Sequence, residues 1–152
     1  MRLSLIGLLS TVTIMLRTYT ELISIPSFEE RFRYLQLKGN VGEDTFGFDR
    51  WLNQVFYRTP EWRKARRDAI IRDCGCDLAW PDREIHGEMI VVHHMNPITV
   101  DDVKYRAGSL LDLENLITTS DSTHRAITYS DESLLKTIKP IERVPFDTCP
   151  WR

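Results

Sequence analysis

Apolar positions recur at helical spacing through the first half of the chain and gather into short continuous runs in the second. Ser27-Phe28-Glu29-Glu30 reads as a capping box, with the Ser27 hydroxyl accepting from the Glu30 amide and the Glu30 carboxylate reaching back. Phe28, Phe32 and Leu35 then line one helical face, and Gly39-Asn40 ends the helix. Residues 42–47 read as loop. A second helix is expected over about 48–57, with Trp51, Val55 and Phe56 as core candidates. Thr59-Pro60 is a strong helix start, threonine as N-cap and proline at the first helical position. That third helix should run to about Asp73, with Trp62, Ala65, Ala69 and Ile70 inward and Gly75 as its stop.

Beyond Gly75 the period changes. Cys76-Asp77-Leu78-Ala79 is a weak strand, Trp80-Pro81-Asp82-Arg83 is turn chemistry, and Glu88-Met89-Ile90-Val91-Val92-His93 is a better strand. Together they predict a β-hairpin. Asn96-Pro97 must leave regular structure. Thr99 can cap a short helix over 100–106. Leu116-Ile117-Thr118 reads as a short strand, and Ser120 or Ser122 can cap a helix carrying His124. From about Lys139 the chain holds Pro140, Pro145 and Pro150 and reads as an extended tail.

Composition alters this picture little. A chain of 152 residues, 42% hydrophobic and 28% charged, suits one soluble domain with a real core. The formal net charge of −2 gives no global pull toward nucleic acid, so any such contact needs a local basic patch. Arg58, Arg63, Lys64, Arg66, Arg67 and Arg72 supply one, against only Glu61 and Asp68. The ordinary alternative is a solvated helix face. Cys74 and Cys76 are too close for an ordinary disulfide and Cys149 lies in the tail, which points to a reducing compartment. The apolar stretch over residues 1–16 reads as a mis-assigned start ahead of Met15 or as an export signal or anchor.

The chemistry concentrates in Val91-Val92-His93-His94-Met95-Asn96-Pro97, Glu114-Asn115-Leu116-Ile117 and Thr123-His124. A strand, a second strand and a helix could gather three of the four histidines around one divalent metal, the makings of a metal-dependent phosphodiesterase. A lone histidine at a strand end is ordinarily structural, and Asn115 could be a turn residue. His86 reads as surface or loop, and Asn96 as a turn initiator. No spacing selects Asp101, Asp102 or Glu114 as ligands.

The stretch from Trp62 to about Ile127 resembles the HNH endonuclease family, also called His-Me finger or ββα-metal nucleases, and especially the small HNH proteins of tailed bacteriophages. The likeness rests on Trp62 and Arg67, Arg72-Asp73, His93-His94, Asn115-Leu116 and His124, in that order, and its motif-bearing part covers under half the chain. The resemblance implies an α+β fold, a mainly helical N-terminal half supporting a ββα-metal core over about 76–130 within a domain of residues 17–138, with 139–152 as tail. It implies a phosphodiester hydrolase that cuts DNA, with His94 as general base, Asn115 bracing the loop or orienting His94, and His93 and His124 holding one divalent ion. Mg²⁺ or Mn²⁺ is expected there, and Zn²⁺ or Ni²⁺ also suits two imidazoles. Strand alternation points adjacent residues apart, so His93 and His94 can share a cleft only if the backbone breaks nearby.

Many HNH proteins hold a structural zinc on two Cys-x-x-Cys pairs. Here the second pair falls on Ser120 and Thr123 and the first is only Cys74-Gly75-Cys76, so no structural zinc is expected. The expected partners are DNA, contacted through Arg58, Arg63, Lys64, Arg66, Arg67 and Arg72, with phage packaging or head proteins and a second copy of the chain as further candidates. The expected setting is the cytoplasm of an infected bacterial host, or outside it if residues 1–16 are an export signal; only a true anchor there would associate stably with a membrane. The competing functions are a non-cutting DNA-binding or phage assembly module with the same fold, and an exported nuclease.

Overall fold

The computed structural model describes residues 16–37 and 50–136. Side-chain oxygens open its helices. Helix α1 (Tyr19–Ser24) starts at Thr18, whose hydroxyl accepts from the Glu21 amide at 3.2 Å. Helix α2 (Phe28–Leu35) starts at Ser27, which accepts from the Glu30 amide and donates its hydroxyl to the Glu30 carboxylate at 2.9 Å. The expected box therefore closes through the hydroxyl, and the helix ends at Gln36, short of Gly39-Asn40. Those two residues, the 42–47 loop, residues 1–15 and the tail from 137 lie outside the described residues. Helix α3 spans Arg50–Tyr57. Thr59 caps α4 (Pro60–Arg72), with proline in its first turn, and the chain leaves α4 through left-handed Cys74 and Gly75. Helix α5 (Val100–Lys104) carries a complete capping box between Thr99 and Asp102 and stops before Arg106.

Two small antiparallel sheets complete an α+β fold in which, among the described residues, every element before Cys76 is a helix. β1 (Cys76–Asp77) pairs with β2 (Arg83–Glu84), and β3 (Ile90–His94) pairs with β4 (Leu116–Ser120). The expected hairpin of 76–79 with the strand ending at His93 is thus corrected. The turn at 80–83 folds back on Arg83-Glu84 alone, and β3 takes its partner from across α5. The reason is burial. All five residues of β4 are buried, whereas the 76–79 stretch reaches only the outer edge of β4, where the Leu78 amide donates to the Thr118 carbonyl at 3.0 Å. Helix α6 (Asp121–Tyr129) follows β4 directly and is capped by Ser120.

The β3–β4 ribbon is covered on both faces, and each face has its own core. Val92 and Leu116 pack with Phe56, Trp62, Ala65, Ala69 and Leu110, from α3, α4 and the loop after α5. On the opposite face Met95 and Ile117 pack with Leu22, Phe32 and Leu35 of α1 and α2 and with Ala126 and Ile127 of α6. Full burial of each large apolar side chain contributes about 1.5–3 kcal/mol. Of the three core candidates on α3, Phe56 is buried as expected, and the other two are corrected: Trp51 is 72% and Val55 48% exposed. Among the described residues no helix is long and apolar enough to cross a membrane.

Candidate active site

Strand β3 stays regular through His94, which sits opposite Leu116, while His93 sits opposite Ile117. Alternation therefore sends the two histidines to different faces of the ribbon. The backbone break that a shared cleft would need is absent from β3, so His94 does not share the side on which His93 and His124 lie.

On the α6 face, the His93 and His124 rings meet edge-on with centroids 5.1 Å apart and planes at 70°. His93 is buried, and its Nε2 has no hydrogen-bond partner. Burial, then the neighbouring His124, His94 and Arg17, hold His93 well below the usual imidazole range. Burial also lowers His124, with Asp121 pulling the other way. Both rings are therefore held toward the neutral form, which is the form that binds a metal through a nitrogen lone pair. An orphaned buried nitrogen beside a second imidazole fits a divalent ion better than it fits a packed core, where such an atom has an unmet desolvation cost. Among the described residues no group of three or more His, Cys, Asp or Glu side chains converges.

On the other face His94 stacks on Trp62, centroids 5.1 Å apart and planes at 20°, with only 7% of its surface exposed. Its Nε2 lies 2.9 Å from the Leu110 carbonyl. A carbonyl can only accept, so Nε2 carries the proton and Nδ1 the lone pair. Burial holds His94 down to about 4 against the opposing pull of that carbonyl. The ring is neutral at pH 7 but weakly basic.

Asn115 braces the loop. Its Oδ1 accepts from the Asn96 backbone amide at 3.0 Å and side-chain amide at 2.7 Å, and its Nδ2 donates to the Ser109 carbonyl at 3.0 Å. It makes no direct bond to His94. It holds Ser109, and the next residue, Leu110, holds the imidazole. Asn96 and Arg17, which sequence reasoning left aside, complete the brace. The Arg17 amide donates to Asn96 Oδ1 and Asn96 Nδ2 donates back to the Arg17 carbonyl, each at 2.8 Å, while the Arg17 guanidinium donates to the carbonyls of Tyr34, Gln36 and Met95. An asparagine just before a proline was the only signal available for this.

The basic residues divide. Arg72 is occupied in the fold: its guanidinium pairs with Asp73, donates to the carbonyls of Leu113 and Leu116 and lies over the Tyr19 ring. Arg66 donates to the Ile90 carbonyl, and Lys64 and Arg67 pair with Asp68. Arg58 and Arg63 are exposed. Helix α4 covers the His94 face of the ribbon, so the expected DNA-contacting helix and the His93–His124 pair belong to opposite faces. The exposed cation next to that pair in sequence is Arg125, on α6 itself.

Ser120 and Thr123, where the family resemblance sets a second thiolate pair, are buried and bonded to each other and to Asp77. Comparison with protein-family models, with characterised proteins and with solved structures gives no match.

Proposed function

We propose that this chain is a metal-dependent DNA endonuclease of the HNH type, hydrolysing phosphodiester bonds with one divalent ion held by His93 and His124. The observation that carries the proposal is the buried, unpartnered Nε2 of His93, on a ring that meets the His124 ring edge-on across β3 and α6. When bound, a divalent ion supplies positive charge that offsets the charge developing on phosphate oxygens. The chain's own residues do the rest. Burial keeps both imidazoles available as donors, and the Asn115–Asn96–Arg17 brace fixes the loop that follows His94; exposed Arg125, next to His124 in sequence, is the cation assigned to a phosphate in this reading. Two protein donors leave coordination positions for water and substrate, which favours metal binding that tightens with DNA present.

The general-base role of His94 is carried by the family resemblance and not by this geometry. The ring has a free lone pair, but it lies on the other face and its basicity is low for a base working near neutrality. That observation favours the second reading, a DNA-binding or phage assembly module that keeps the fold without cutting.

Plasmid nicking with Mg²⁺, Mn²⁺ or Ni²⁺ separates the two. The unmodified protein should nick, and His93→Ala and His124→Ala should not. A base role for His94 predicts a loss of about 100-fold or more in His94→Ala; unchanged cutting would remove it from that role. Absence of nicking with all three metals, alongside retained DNA binding, selects the non-cutting module.

A further inference from the structure

Asp77 is a fully buried carboxylate outside the histidine pair, and burial raises it above the usual carboxylate range. Such a group is costly unless donors surround it. Its Oδ2 accepts from the Ser120 amide at 3.1 Å and its Oδ1 accepts from the Ala79 amide at 3.2 Å, and the Thr123 and Ser120 side chains lie close enough to favour its charged form. The Ser120 hydroxyl in turn donates to Thr123 Oγ1 at 3.0 Å, and all three side chains are buried. Ser120 is the N-cap of α6 and Thr123 is the residue before His124. Asp77 therefore holds the first turn of α6 through the Ser120 amide, with the Thr123 and Ser120 side chains set against the same carboxylate. A carboxylate at a helix N-terminus is also favoured by the helix dipole. Glu88 holds the same turn from a less buried side, accepting from the Ser122 hydroxyl at 2.6 Å.

We propose that Asp77, acting through Thr123, is a positioning residue that sets His124 against His93. The inference rests on the reading of those two histidines as the metal pair. A carboxylate suits the task because it presents acceptors to several donors at once; an asparagine there would turn an amide donor toward one of them.

The test is titration of the full chain with Ni²⁺ alone by isothermal calorimetry, with folding of each variant checked by near-ultraviolet circular dichroism. His124→Ala reports on the metal pair itself. If the unmodified protein binds no Ni²⁺, or His124→Ala binds as well as it does, the metal-pair reading falls and the positioning role falls with it. Where the pair does bind, Asp77→Ala and Thr123→Val are expected to keep the stoichiometry and weaken affinity about tenfold, the scale seen when a residue orienting a ligand is lost. Thr123→Ser keeps the hydroxyl and should return the affinity toward the unmodified value. A merely structural Asp77 would lower the melting temperature and leave the affinity of the folded protein where it was, and that result overturns the proposal. Should Asp77→Ala fail to fold, the contrast between Thr123→Val and Thr123→Ser decides, with equal affinity in those two overturning it.

Discussion

At the scale of single residues, the polar groups around the ribbon are distinguished by whether they have partners. Asn96 spends its side chain on Arg17 and Asn115 at 2.7–2.8 Å. Asn96→Ala leaves those groups unmatched and should cost about 1–3 kcal/mol in urea denaturation; a change of a few tenths would mean water replaces the side chain easily. His93 Nε2 has no such partner. Saturating Ni²⁺ or Mn²⁺ should therefore raise the melting temperature, by a stabilisation of about 2.7 kcal/mol at a free concentration 100 times Kd. His93→Ala should abolish that rise, and an identical rise in the variant would place the metal elsewhere. The sequence made the histidine pair legible, along with its alternation. It could not show that His94 would be spent on Trp62 and Leu110, because both partners are remote in the chain and a stacked imidazole leaves no local pattern.

At the scale of elements, what was legible was what is local. Ser27, Thr59, Thr99 and Ser120 each cap the helix they precede, because a side-chain oxygen needs only the next three residues to act. Thr59→Ala should accordingly destabilise the protein by about 1 kcal/mol in thermal or chemical unfolding, and no change would show that Pro60 alone fixes the start of α4. Pairing was not legible. Ile90–His94 has strand character on its own, but its partner is chosen by which segment can be buried on both faces, and Leu116–Ser120 meets that condition. That Phe56 alone of the three candidates on α3 is buried has the same origin, since several faces of that short helix are apolar and the neighbours select one. Asp77 was read only as part of a weak strand, because a buried acid is recognised by donors that come from far along the chain.

At the scale of the whole molecule, arginines join the layers. Arg31, only 9% exposed, donates to the carbonyls of Ile23, Ile25 and Leu78, binding α2 to the segment after β1. Arg31→Met keeps the apolar stem and removes every donor, so it should cost about 2–3 kcal/mol; a neutral result would assign the contribution to packing alone. Arg17 binds α1 and α2 to the loop after β3, and Arg72 binds α4 to β4. These contacts also order events in time. Arg17 meets Asn96 across 79 positions of sequence, and Arg31 meets Leu78 across 47. A ribosome makes the N-terminal helices first, yet the groups that receive them do not exist until much later. The apolar faces of α1 and α2 must stay uncovered in that interval, and distant contacts of this kind slow folding and expose a chain to aggregation. Helices α1 and α2, made before the segments that receive them, are thus among the last elements to be held in place.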